Sequence, residues 1–384
     1  MRYEDFVHSP AGRLVPTVFD AQAFLPNALP PQVKLDLVAL DLAEAMASIG
    51  ELRGACRRLL NPYILIRPLQ RLEAQTSSAM EGTHSTNDEL VLAEAGVERD
   101  VGSEVREVNN YLSALSWAVV ELKQLPISAR LICGIHERLL KGVGRDRGQD
   151  KLPGCFKRDQ NMIGGARLET ARFIPPPPLM TPDAVSDLEK YVNREDKTGS
   201  AALLDMALAH YQFETIHPFA DGNGRVGRML ISLMAITENL LEVPVLYMSP
   251  ELERVKDEYI DLMYAVSSKG EWEAWISFFL KALTRSARRT VETIDRVLAL
   301  QSSYHDRVKA ASRSSNALTV VDMLFERPVI RVKEVVERLS VTDAAARNIL
   351  RQLSELEIVH ESKAYYPAVW FARELAEISR PAPL

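Results

Sequence analysis

The chain has 384 residues, 47% of them hydrophobic and 26% charged, with a formal net charge of −6. This is the composition of an ordinary soluble globular protein of two or three domains. The acidic balance argues against a protein that grips nucleic acid mainly by electrostatics. The three cysteines, Cys56, Cys133 and Cys155, form no C-x-x-C pair, so neither a disulfide framework nor a zinc knuckle is indicated. The first residues carry no apolar signal region and no stretch reaches the length of a membrane span, so no membrane attachment is expected and a reducing cytoplasm fits best.

Residues 1–30, rich in proline, phenylalanine and small residues, read as an irregular arm lying across the core. From Leu35 to Leu60 the spacing of Leu37, Leu40, Ala43, Ala47 and Leu52 has helical period, and Asn61-Pro62 breaks it. A second helix over Ile64–Met80 runs into Glu81-Gly82. Asn87–Ala95, Glu104–Leu122 and Ser128–Leu140 follow as helices, with His136 read as a packed residue of the last. Glycines at 142, 144, 148 and 154 then punctuate a loop that lacks both a Walker A and a dinucleotide signature. Asn161–Gly165 and Ala171–Ile174 predict two short strands around a turn, and the four prolines 175–178 hold the exit extended. Helices over Ala201–Thr215 and Arg225–Leu241 flank the segment 217–228. Ser249-Pro250 starts another, carrying Arg254 and Tyr259 as candidates to line a nucleotide pocket. Glu271–Ala299 is a long helix whose extension to Ala311 serves as a connector.

His217-Pro-Phe-Ala-Asp221-Gly-Asn223-Gly-Arg225-Val-Gly-Arg228 is the most informative run in the chain. Its glycines sit where a loop enters a helix, and unpaired N–H groups at such an entry, with the positive end of the helix dipole, form an anion site. Arg225 and Arg228 lie three apart, are expected to share one helix face, and offer two fixed guanidinium forks for phosphate oxygens. Asp221 is a hard oxygen ligand suited to Mg²⁺ that also bridges phosphates. His217 accepts a proton near neutral pH. Taken singly, each has a plain reading as a turn, a packing residue or a solvated helix face. A plain turn does not need all of them.

This run resembles the signature of Fic-domain proteins, His-x-Phe-x-(Asp or Glu)-Gly-Asn-Gly-Arg-x-x-Arg, and meets it at every specified position. The resemblance covers about residues 10–300. It implies transfer of AMP from ATP, with Mg²⁺, to a Ser, Thr or Tyr hydroxyl of a target protein or of the chain itself. His217 would be the catalytic base. Asp221 would hold the metal, and Gly222, Asn223, Gly224, Arg225 and Arg228 the phosphates. Phe219 belongs to the same loop, with its ring expected in the core as an anchor. Ser77-Ser-Ala-Met-Glu81-Gly82 resembles the family's inhibitory motif, (Ser or Thr)-x-x-x-Glu-(Gly or Asn), in the position of an N-terminal inhibitory helix. A carboxylate from Glu81 on Arg228 would occupy the donors meant for the γ-phosphate. In the family, the hairpin around Asn161, Ile163 and Gly164 is a flap that docks an extended segment of the target by strand addition.

Beyond a polar linker at Ser312–Asn316, three short helices (Leu318–Glu326, Arg331–Leu339, Thr342–Leu356) and two strands (Glu357–Ser362, Ala364–Trp370) resemble a winged helix-turn-helix, with Thr342 as a helix cap. Between Val341 and Lys363 three basic residues face four acidic ones, so dimerisation or partner docking is favoured slightly over DNA binding. The expected fold is mainly α: a Fic-type helical core with a short β-hairpin flap and a small C-terminal winged-helix domain. Its expected units are 1–100, 101–311 and 312–384. Removal of AMP by the same site, and a DNA-binding regulator with a nucleotide-sensing Fic module, remain as alternatives.

Overall fold

The computed structural model describes all residues except 18–19, 60–61, 87–88, 91–92, 94–101, 145–147, 196, 198–200, 312–313, 363–367 and 379–384. Most of the helix expected at 87–95 therefore lies outside the described residues. The fold is mainly helical. α1 (Ala39–Arg57) and α2 (Pro62–Met80) precede α3 (Ser103–Glu121) and α4 (Ala129–Leu139). α5 (Thr181–Val192) leads to the central pair, α6 (Ala201–Ile216) and α7 (Asn223–Thr237). α8 (Ser249–Glu253), α9 (Lys256–Lys269) and the 39-residue α10 (Trp272–Ala310) complete the body.

α7 sits at the centre because its sequence lets it: every residue from Asn223 to Ala235 is buried. Such a helix has no water face, so it is surrounded by α2, α3, α4 and α6. α10 packs along α1 and backs the core with Trp275, Phe279 and Leu283, all fully buried. Ser128 caps α4 by accepting the Leu131 N–H at 3.4 Å. No helix among the described residues is long and apolar enough to cross a membrane.

Two local expectations change. Residues 1–30 are not wholly irregular: β1 (Gly12–Pro16) and β2 (Gln22–Pro26) form an antiparallel hairpin with Gly12 opposite Pro26. Pro16 and Pro26 stand at the strand ends, where a missing N–H costs least. The flap, by contrast, is less regular than two strands. Its arms meet in one antiparallel bridge, Ile163 with Phe173, closed by N–H to O contacts of 2.9 and 3.1 Å in the two directions. Gly164, at φ 69°, turns the chain immediately after that bridge and ends the pairing.

The C-terminal part contains α11 (Ser315–Glu326), β3 (Val329–Ile330), α12 (Val332–Leu339), α13 (Asp343–Glu355), β4 (His360–Ser362), β5 (Val369–Phe371) and α14 (Arg373–Ile378). The sheet order is β3-β5-β4, so β3 is a strand that the sequence reading did not contain. Thr342 caps α13 as expected, accepting the Ala345 N–H at 3.3 Å.

The α1–α10 contact should dominate the stability of the body. Leu52→Ala, at a fully buried position, is expected to cost about 2–5 kcal/mol. Leu40→Ala on the same helix, at a position 87% exposed, should stay within about 0.5 kcal/mol. Urea midpoints of the two variants check this, and equal midpoints would contradict the packing.

Candidate active site

α6 delivers His217 and α7 begins six residues later, so the signature occupies the turn between two buried helices. His217 itself adopts φ 49°, a left-handed conformation uncommon for a residue with a side chain and typical of functional sites. Its Nδ1 lies 3.2 Å from the Glu214 carbonyl. A carbonyl only accepts, so Nδ1 carries the hydrogen and Nε2 the lone pair. Burial, with the charge of Lys157 next, pushes the imidazole down to about 4, so the ring is neutral at pH 7. The ring lines a cavity.

The rest of the turn is fastened from inside. Gly222, at φ 79°, starts α7 in a conformation that favours glycine. Asn223 closes the loop on itself, its Oδ1 accepting the Phe219 N–H and its Nδ2 donating to the Phe219 carbonyl, both at 2.8 Å. Phe219 is wholly buried, its ring stacked on His136 at 3.8 Å. It therefore anchors the loop rather than touching a nucleotide. His136 is packed, as its sequence context suggested, but it also works on the loop. It accepts the Gly154 N–H at Nδ1 (3.0 Å) and so donates from Nε2 to the Asp221 carbonyl (3.0 Å). Nothing in the local sequence around His136 signals that role.

Arg228 and the N-terminal helix α2 meet at this site. The guanidinium is buried, donating from Nε to Ser77 Oγ and from Nη2 to the Ser77 carbonyl and to Glu81 Oε1, each at 2.8 Å. Burial works to raise the Glu81 carboxyl, but the Arg228 charge and hydrogen bond outweigh it and hold Glu81 below the usual carboxylate range. Gly224 makes room: a Cβ there would lie 2.1 Å from Glu81 Oε1. Glu214 also borders the cavity, but burial pushes its carboxyl up to about 8 against the pull of Arg228. It is therefore mostly neutral at pH 7, and Glu81 supplies the negative charge.

Arg225 departs from expectation. It is fully buried, 2.7 Å from Glu107 and 3.4 Å from Asp221, and does not line the cavity. Residues three apart on a helix are only about 60° apart around it, so helix geometry alone does not separate the two arginines; Glu107 of α3 takes up the Arg225 guanidinium. Thr83, just past the Glu81-Gly82 turn, donates to the same Glu107 oxygen at 2.8 Å. Both arginines of the signature are thus tied to the chain around the end of α2, one directly and one through Glu107. No sequence signal links Glu107 to a loop 118 residues away.

The cavity is lined by Glu81, Glu214, His217, Gly224 and Arg228 together with the apolar side chains of Ile163, Phe173, Ile260 and Met263. Tyr259 lines it too, with its hydroxyl 2.9 Å from His210 Nε2. Arg254 does not. It lies 3.7 Å from Glu251 and borders a separate groove with Lys281 and Arg285. α8 ends at Glu253, and the chain turns there so that Arg254 faces α10. Asn161 is not offered outward from the flap either; its side chain donates to the carbonyls of His217 and Phe219, both at 3.0 Å.

Among the described residues no group of three or more His, Cys, Asp or Glu gathers as a metal cage. The Asp221 carboxylate is partly exposed, and its Oδ1 accepts the Gly222 N–H at 2.5 Å. One carboxylate beside an anion site suits Mg²⁺ that takes its other ligands from phosphate and water.

The neutral imidazole can be tested directly. In histidine-selective ¹³C NMR of the resting protein, the resonance lost in His217→Ala should titrate with a midpoint near 4, on the acid side of the ordinary value of about 6.5. The neutral form is favoured by the fold, so protonation should come late as pH falls. A midpoint at the ordinary value would contradict the buried geometry.

A family model described as "Fic/DOC family N-terminal" matches residues 39–120, and one described as "Fic/DOC family" matches residues 126–235. A probable protein adenylyltransferase of Aquifex aeolicus is 34% identical over 129 residues, 34% of this chain and 36% of that protein. A protein adenylyltransferase Fic of Drosophila melanogaster is 26% identical over 191 residues, covering 50% of this chain and 36% of its own length. The chain thus aligns with little more than a third of each of these relatives. Among solved structures, a Fic family protein from Desulfovibrio desulfuricans superposes with a TM-score of 0.57 at 18% identity, over 90% of this chain and 98% of that one. Fic-1 of C. elegans, residues 134–508, gives 0.52 at 20% identity over 68% and 75%. These two likenesses concern the fold. With the complete signature on the loop between α6 and α7, and the two matched regions spanning half of the sequence, the chain belongs to the Fic/DOC family.

Proposed function

We propose that this protein transfers AMP from ATP to a hydroxyl side chain of a protein, and that Glu81 holds the transfer in check. One observation carries the reading: Arg228 of the signature is engaged by Glu81 while the neutral His217, its lone pair on Nε2, borders the same cavity. His217 Nε2 takes the proton of the incoming Ser, Thr or Tyr hydroxyl. The oxygen forms a bond to the α-phosphorus, and the bond from that phosphorus to the bridging oxygen of the β-phosphate breaks, releasing pyrophosphate. The helix entry at Gly222–Gly224 and Arg228 hold phosphate oxygens, so most of the acceleration is positioning and electrostatics. Asp221 would hold Mg²⁺, which supplies charge neutralisation on the phosphates. Arg225 supports the loop through Glu107 and Asp221 rather than reaching a phosphate in the resting form.

Glu81 inhibits by exclusion. Its carboxylate takes Arg228 and lies against Gly224, where the end of a triphosphate would have to pass. The same ionised carboxylate beside His217 favours a second reading, the orientation of a water that hydrolyses an AMP–protein bond. The flap is paired through a single bridge, Ile163 with Phe173, which supports its reading as a short edge that an extended target segment could join. In the C-terminal part, Arg347 on α13 is paired with Asp343 at 2.9 Å. The near balance of charge from 341 to 363, three basic residues against four acidic, supports docking of a second copy or another protein over DNA binding.

His217→Ala in a Glu81→Gly background should lower AMP incorporation by about 10²–10⁴-fold with MgATP binding retained; incorporation at the parent rate would remove His217 from the chemistry. Glu81→Gly alone should raise self-labelling above wild type, seen as an added AMP mass on the intact protein. Because a misplaced ATP can still bind, the gain should appear in turnover more than in affinity. Equal labelling of two folded, MgATP-binding proteins would make Glu81 a helix-end residue only.

A further inference from the structure

Ahead of the flap, the chain places a lysine under the catalytic loop. Lys157 is 3% exposed and has no carboxylate partner among the described residues. Its ammonium donates to neutral oxygens instead, Asn161 Oδ1 at 2.8 Å and the Ile216 carbonyl at 3.2 Å. Its backbone N–H donates to the Pro218 carbonyl at 2.8 Å. Asn161, oriented by the lysine, sends its two N–H bonds to the His217 and Phe219 carbonyls, both at 3.0 Å. Four consecutive carbonyls, 216 to 219, are therefore taken up by two residues four apart. Burial without a counter-charge pushes the amine down to about 7, so at neutral pH the ammonium is only partly populated, while at the acid pH where His217 titrates it is fully charged. A buried lysine of this kind is seldom kept for stability alone.

We propose that Lys157 and Asn161 are positioning residues for His217: by taking up the carbonyls of 216–219 they set the left-handed backbone at His217 and so aim its imidazole into the cavity. The inference rests on the reading of His217 as the base. The oxygens that would otherwise face one another across the tight turn are each given a donor, which offsets the strain at φ 49°. The phosphate side has fastenings of its own, Asp221 on His136, Arg225 on Glu107 and Arg228 on Glu81, and meets the clamp at the Phe219 carbonyl, which Asn161 and Asn223 share. Loss of the clamp should therefore reach turnover before nucleotide affinity. The ammonium also acts at a distance. Lys157 opposes protonation of His217, while Glu81 and Asp221 favour it, so removing the lysine charge should make the imidazole easier to protonate.

The test uses the full chain in the Glu81→Gly background, with MgATP as the probe. Lys157→Met should lower AMP incorporation at saturating MgATP by about 10²-fold while the MgATP dissociation constant stays within about threefold. Its His217 resonance should titrate clearly above the parent's midpoint, moving toward about 6.5. Lys157→Arg keeps the charge and should keep the parent midpoint. A folded Lys157→Met with parent turnover or an unmoved midpoint overturns the proposal. If Lys157→Met does not fold, Asn161→Ala decides it, since parent turnover in that variant rules out the clamp. His217→Ala separates the two readings: if it labels at the parent rate, the base assignment has failed, whereas a silent His217→Ala with a fully active Lys157→Met defeats the clamp alone. The NMR arm needs no activity and stands by itself.

Discussion

A buried guanidinium must have an anion, and the arrangement around Arg228 follows from that requirement. Stripping a buried charge of its partner costs about 3–5 kcal/mol, so the fold that places Arg228 inside α7 must also deliver an acceptor. The N-terminal helix and the turn at its end do so from 147 and 151 residues away, with the Glu81 carboxylate and with Ser77 Oγ and the Ser77 carbonyl. A triphosphate is the other anion whose shape and charge suit the same donors. On the proposed reading, inhibition and catalysis are two ways of meeting one electrostatic demand, and Gly224 makes them exclusive by leaving no space between Glu81 and the helix entry.

The loop before α7 poses the complementary problem of too many carbonyls in a tight turn. The backbone oxygens of 216 to 219 and of 221 are each bound by a donor from another part of the chain or from Asn223. Lys157, Asn161 and His136 supply most of these, and all three precede the signature by many residues. A His217 at positive φ is sustained by that surrounding network, not by its own local sequence. Backbone partners also fix the tautomers: the Glu214 carbonyl leaves the His217 lone pair on Nε2, and the Gly154 N–H leaves His136 with its hydrogen there.

Much of the architecture was legible beforehand. Helices announced by periodic apolar spacing, such as α3 with Val108, Tyr111 and Leu115 buried, stand where expected. The cap at Thr342 and the loop-to-helix entry at Gly222 were readable because caps and turns are local chemistry. The hairpin of β1 and β2 was not, since strand pairing depends on a partner that a short, proline-bounded segment does not reveal. The flap failed in the other direction. Two short segments around a turn suggested strands, but a glycine turn limited the pairing to one bridge.

The sequence by itself determined the chemistry available: a base, a carboxylate, a glycine turn and two arginines within twelve residues, with a Ser-x-x-x-Glu segment upstream. Contiguous spacing on one loop and helix constrains geometry closely enough for that. Only the tertiary structure decided how those groups are used. It set Arg228 on Glu81 and Arg225 on Glu107, put Phe219 under the loop, and turned Asn161 inward. It also left Arg254 outside the cavity. The reason is physical. Which of two like arginines lines the cavity depends on the carboxylates that distant helices bring alongside, and a buried charge takes the nearest partner that the packing supplies.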